Sequence, residues 1–123
     1  MTLDRRSTLR VHAYRPVKLH PQGRSHLIVE TLTKDIATGG LRCLSSSILP
    51  VSTLIELEVV LNKGSEPLNV RGRTVWFRTI PQSEQFDVGI AFLDLSGISK
   101  RRLSTYIDDL SRQDSASQSS TRI

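Results

Sequence analysis

The sequence predicts a mainly β domain closed by one C-terminal α-helix. Three observations carry that reading. Apolar residues mostly alternate between Leu27 and Phe92, the same stretch is rich in Val, Ile and Thr, and after Leu95 the apolar period changes to three-and-four. A length of 123 residues suits one core and one domain.

Met1 to Leu9 shows no period and reads as a flexible arm, residues 1–9, that leads into the first strand. Strands are expected over Arg10 to Leu19, Leu27 to Thr33, Gly40 to Leu44, Ile55 to Leu61, Leu68 to Arg78 and Gln85 to Leu93, about six in all, separated by segments with Pro, Gly, Ser and Asn. Ile55, Leu57, Val59 and Leu61 define the clearest core face, set against Glu56 and Glu58. In Leu68 to Arg78 the apolar parity changes around Gly72, which suggests a bulge or bend at that glycine. Beyond it Trp76 and the pair Val75 and Phe77 fall on opposite faces, and alternation leaves open which of them fills the interior.

Leu103, Tyr106, Ile107 and Leu110 lie on one helical face. Lys100, Arg101 and Arg102 at the start of this helix and Asp108 and Asp109 near its expected end oppose its dipole, so packing must hold it. The polar, Ser-rich residues 111–123 read as a disordered tail, which leaves residues 10–110 as the folded domain.

A formal net charge of +5 draws anions to the surface: nucleic acid, acidic lipid or a phosphorylated small molecule. The single cysteine, Cys43, has no partner for a disulfide or a CxxC site and reads as a small buried apolar residue; the expected location is the cytoplasm. No apolar run approaches the ~20 residues of a membrane span, and the charged N-terminus lacks the apolar core of a signal peptide. His12, His20 and His26 have neither metal-ligand spacing nor an evident partner carboxylate, so no metal site is expected. Neither an acid–base pair nor a nucleophile constellation declares itself, and the chain does not read as an enzyme.

Two segments carry chemistry. RRSTLR concentrates three guanidinium groups, Arg5, Arg6 and Arg10, in six positions. Alone it reads as a solvated basic arm, but guanidinium forks also pair with phosphate, grip guanine at O6 and N7, and stack on flat bases. KDIATGGL, from Lys34 to Leu41, reads by itself as a hairpin turn in which Asp35 caps and the glycines accept positive φ. Functionally, the Asp35 carboxylate can accept two hydrogen bonds from N1 and N2 of a guanine, while Gly39 and Gly40 let ligand and backbone approach.

Together these segments resemble the PilZ domain family. Its RxxxR motif is matched by RSTLR from Arg6 to Arg10, with Arg5 as an extra leading arginine, and its [D/N]xSxxG motif by DIATGG from Asp35 to Gly40. VRGRTVWF from Val70 and FDVGIAFLDL from Phe86 look like the family's later strands. The resemblance spans about Arg5 to Leu110 and implies a six-stranded antiparallel β-barrel with a C-terminal α-helix that binds cyclic di-GMP. It further implies that Arg6 and Arg10 contact guanine edges and phosphates, that Asp35 takes a guanine Watson–Crick edge, that Gly40 holds a close turn and that Trp76 borders a guanine. Ala37 stands where the family usually has Ser; a missing neutral hydrogen bond, roughly 0.5–1.5 kcal/mol, lowers affinity about threefold to tenfold.

On that reading the arm folds onto the barrel with the ligand, exposing a signal to an unidentified downstream protein. Ordering about eight residues costs on the order of 8–16 kcal/mol, offset by charge-assisted contacts, so the expected affinity is near micromolar, roughly −8 kcal/mol. Two other readings compete. One is a basic barrel that binds single-stranded nucleic acid, disfavoured because six aromatic residues provide no evident stacking platform. The other is a PilZ-like adaptor that works by protein contact without ligand, disfavoured by the intact arginine pair and Asp35.

Overall fold

The computed structural model describes residues 9–24 and 26–120, so the expected arm, with Arg5 and Arg6, lies outside the described residues apart from Leu9. The elements are β1 (Arg10–His12), β2 (Pro16–Pro21), β3 (Val29–Ala37), β4 (Gly40–Ser45), β5 (Leu54–Val59), β6 (Leu68–Thr79), β7 (Phe86–Leu93) and α1 (Gly97–Ser120). All strand pairings are antiparallel. The order β2–β5–β6–β7–β4–β3 closes back on β2, and β1 extends β2 along the same side of β3. The wall is therefore a closed six-stranded antiparallel barrel with one C-terminal helix, which leaves no unpaired strand row along the ring.

The expected strand Arg10 to Leu19 is one strand with a break. Three residues, Ala13 to Arg15, face two on β3, Thr33 and Lys34, because the register shifts by one between β1 and β2. Thr33 fills the gap chemically: its hydroxyl donates to the Ala13 carbonyl at 2.5 Å and accepts from the Arg15 N–H at 2.9 Å. Pro16, which has no N–H, restarts the strand, and Arg15 Nε donates to the Val60 carbonyl at 2.8 Å.

Inward-facing side chains fill the barrel, among them Leu19, Ile36, Leu41, Leu57 and Ile90, each 2 % exposed or less. Ile55, Leu57, Val59 and Leu61 are all buried, as their alternation predicts. Helix α1 adds Leu103, Tyr106 and Ile107 to this core, with Leu110 partly buried beside them. Ser96 caps it: its hydroxyl accepts from the Ser99 N–H at 3.1 Å and its carbonyl from the Lys100 N–H at 2.9 Å.

The helix runs to Ser120, where composition suggests a tail from Ser111 onward. No Gly or Pro interrupts residues 98–120, so each added residue continues the backbone ladder begun by the packed turns. Asp108 and Asp109 accordingly sit in mid-helix, away from the carbonyl end, while Lys100 to Arg102 still oppose the dipole at the start. Among the described residues no helix is long and apolar enough to cross a membrane.

Two bulges determine which face carries the site. On β3 the register with β4 shifts between Thr33 and Asp35, making Lys34 the extra residue. On β6 the register with β7 shifts between Thr74 and Trp76, making Val75 the extra one. The change of phase thus falls three residues beyond Gly72, which points inward in step with Val70 and Thr74. A Cβ on Gly72 would lie 2.7 Å from Ile90 and 2.9 Å from Leu57, so glycine is required there for close packing.

Candidate functional site

Strict alternation would place Asp35 with Thr33, and Trp76 with Thr74, inside the barrel. The bulges at Lys34 and Val75 reverse the parity, so Thr33 and Thr74 stay buried while Asp35 and Trp76 turn to the outer wall. Val75, expected on one face with Phe77, is instead 45 % exposed, whereas Phe77 packs against the core. Trp76 is half-buried on the site side, which resolves the choice that alternation leaves open.

Strand register then brings four residues into one row across the outer wall. Asp35 on β3 is opposite Arg42 on β4, Arg42 is opposite Gly89 on β7, and Gly89 is opposite Trp76 on β6. The adjoining row holds Arg10, Ala37, Gly40 and Ala91. Between these rows opens a cavity of about 450 Å³ lined by Arg10, Asp35, Gly39, Gly40, Arg42, Trp76 and Gly89, with Leu41, Val75, Ile90 and Ala91. That volume is within the ordinary range of small-molecule sites, about 300–1,000 Å³.

The Asp35 side chain is 5 % exposed, and two guanidinium groups hold it. Arg10 Nη1 donates to Oδ1 at 2.5 Å, and Arg42 Nε lies 3.0 Å from Oδ2 without the alignment of a hydrogen bond. The two arginines differ in freedom. Arg10 is half-exposed and, among the described residues, pairs with this carboxylate alone; Arg42 is more buried and also lies 3.5 Å from a second carboxylate, that of Asp87. Lys34 and Arg78 approach Asp87 at 3.7 and 3.6 Å, and the Arg78 guanidinium stands 5.0 Å over the Trp76 ring.

The structure brings Arg10, Asp35, Gly39, Gly40 and Trp76 together in the cavity and buries Ala37 in the wall opposite Arg10. Neither glycine takes a positive φ, contrary to the simple turn reading; the positive-φ glycines are Gly23 and Gly64. Gly40 is needed for contact, because a Cβ would lie 2.2 Å from the Ile90 carbonyl oxygen. Gly39 faces open space, and its carbonyl accepts from the Phe92 N–H at 2.8 Å, tying the hairpin to β7.

Arg42, Arg78, Asp87 and Gly89 are missing from the sequence reading. Arg42 was within reach of it: a hairpin turning at Thr38 and Gly39 pairs Ala37 with Gly40 and therefore Asp35 with Arg42. Gly89 carried no such local signal, yet a Cβ there would lie 2.3 Å from the Trp76 indole, so the indole rests against this glycine. His20 also departs from expectation, since its Nε2 lies 2.6 Å from Glu58 Oε2 across β2 and β5. Cys43 is fully buried, and burial reinforced by the Asp87 charge pushes its thiol up to about 12.

A wider groove of about 730 Å³ runs between α1 and Leu61–Asn62. Two of its cations, Arg15 and Arg102, already donate to the Val60 and Glu66 carbonyls, and its carboxylate, Asp109, is exposed and paired with Arg112. The smaller cavity, with its buried carboxylate and convergent guanidinium groups, is the chemically organised one.

A closed antiparallel barrel with a helix on its core and a cationic cleft in its outer wall defines a small helix-capped β-barrel domain. The chain belongs to the PilZ domain family, whose model matches residues 4–109. Among solved structures it is similar to the PilZ domain with c-di-GMP of YcgR from Escherichia coli, at 16 % identity and a TM-score of 0.67 over 94 % of this chain and 96 % of that one. It is also similar to the inhibitor of motility MotI/DgrA of Bacillus subtilis (16 % identity, TM-score 0.71, 85 % of this chain and 49 % of that one). MrkH of K. pneumonia matches at 14 % identity with a TM-score of 0.76, over 95 % of this chain and 53 % of that one. The chain thus spans about half the length of MotI/DgrA and MrkH. No curated protein matches it.

Proposed function

We propose that this chain is a receptor for cyclic di-GMP that acts as a non-enzymatic adaptor. The observation that carries the reading is the buried Asp35 carboxylate, held on the outer wall between Arg10 and Arg42 in a cavity bordered by Trp76. Family membership and the c-di-GMP-bound YcgR PilZ domain among its structural neighbours support it.

Each ligand feature has a counterpart. Guanine N1–H and N2–H₂ donate to the two Asp35 oxygens, replacing the Arg10 hydrogen bond. Arg10, half-exposed and freed by that exchange, turns to a phosphate or to guanine O6 and N7. Arg42 remains as fixed positive charge in the wall, and the Trp76 indole provides a flat face for a purine. Arg5 and Arg6, ahead of Arg10 in the sequence, contribute two further cations for the phosphates and guanines. A change of surface on binding is the signal that a partner protein reads.

Trp76 is the only tryptophan, so its fluorescence reports on this cavity directly. Titration with cyclic di-GMP should change its emission with micromolar affinity, and cyclic di-AMP, whose bases lack the N1–H and N2–H₂ donors, should bind roughly 5- to 150-fold more weakly, since a bidentate pair is worth about 1–3 kcal/mol of discrimination. Equal responses to the two dinucleotides would refute the assignment of Asp35 as the guanine reader.

A further inference from the structure

Asp87 lies behind the cavity and lines no part of it. It occupies the outer row next to that of Arg42, Gly89 and Trp76, with Leu44 and Arg78 as its register partners. Although it points to the outer wall, it is 5 % exposed, because side chains from three other strands close over it. Lys34, Arg42 and Arg78 bring their cations to 3.5–3.7 Å, and among the described residues the buried Oδ1 has no hydrogen-bond partner. Its hold on its neighbours is therefore mainly charge. Burying a carboxylate this way is costly, and the core gains nothing from a residue that faces away from it.

What Asp87 does hold is the cavity's wall. Arg42 lines the cavity, and its second anchor, Asp35, is the group a guanine would engage; once that happens, Asp87 is the carboxylate left to fix Arg42. Arg78 lines no part of the cavity but stands over the Trp76 indole that rests against Gly89. We infer that Asp87 is the positioning residue of the site: without touching the ligand, it fixes Arg42 directly and Trp76 through Arg78. This role rests on the receptor reading above.

Charge alone gives the opposite expectation. Arg10, Arg42, Arg78 and Lys34 face Asp35 and Asp87, and neutralising Asp87 makes the site more positive, so an anionic dinucleotide would bind more tightly if attraction were all that mattered. The test uses the full chain as wild type, Asp87→Asn, Arg78→Gln and the double variant, each titrated with cyclic di-GMP and each probed without ligand by acrylamide quenching of Trp76. Positioning predicts affinity about tenfold lower in Asp87→Asn despite its added positive charge, and a double variant less impaired than the two single losses combined. It also predicts faster Trp76 quenching in both single variants. Unchanged or tighter binding by Asp87→Asn, additive losses, or unchanged quenching would overturn it. Should Asp87→Asn fail to fold, Arg78→Gln, altered at an exposed side chain, decides through quenching and affinity. Should the wild type not bind cyclic di-GMP, the receptor reading falls, and quenching still decides whether Asp87 and Arg78 fix Trp76.

Discussion

At the scale of single residues, the cavity depends as much on missing side chains as on charged ones. Gly89 gives the Trp76 indole its seat, and Gly40 lets the β3–β4 hairpin meet the Ile90 carbonyl. Gly89→Ala places a methyl within 2.3 Å of the indole, so the ring must leave. Cyclic di-GMP affinity should fall at least ~10-fold, about 1.4 kcal/mol, with little change in thermal midpoint, because Trp76 is only half-buried. Gly39→Ala, whose Cβ meets nothing within 4 Å, serves as the matched control and should bind as wild type. Arg10, Asp35, Gly40 and Trp76 were legible in the sequence because motif and residue chemistry point to them. Gly89 and Asp87 were not, since their importance comes from which residue on β6 or β4 they meet, and no local pattern encodes that register.

At the scale of elements, the strands and the helix face were legible from apolar periodicity, and the irregularities between them were not. Alternation assumes an unbroken pleat, whereas Lys34 and Val75 each add one residue and turn Asp35 and Trp76 outward. The phase change is visible in the β6 sequence, but there it points to Gly72, because a glycine is the conspicuous residue and an extra valine is not. The break between β1 and β2 was hidden for a different reason: it is held by a distant hydroxyl. Thr33→Val keeps the shape of that side chain but removes both of its hydrogen bonds, to the Ala13 carbonyl and from the Arg15 N–H. Urea unfolding should show a loss of about 1–3 kcal/mol. An unchanged midpoint would mean that the break is held by Pro16 and the surrounding packing alone.

At the scale of the whole molecule, the barrel keeps a neutral core beneath a charged wall. Cys43 sits in that core under Asp87, and its thiol is raised from 9.0 to about 12, largest cause burial. A thiol that ionises more readily unfolded than folded contributes stability that is complete below pH 9 and is lost as the pH rises from 9 toward 12. Tyr106, also raised from its ordinary 10.0 by burial, acts in the same direction. Thermal midpoints should therefore decline above pH 9, and the decline should be shallower in Cys43→Ala, even though that variant starts lower for want of the buried sulfur. The charged wall carries the proposed ligand site, and isothermal titration of cyclic di-GMP into the wild type and Arg10→Ala is its sharpest test. The wild type should bind with micromolar affinity and Arg10→Ala at least ~10-fold more weakly, from loss of a charge-assisted contact worth about 1.5–3 kcal/mol. No heat with either protein, or equal affinity in both, would contradict it.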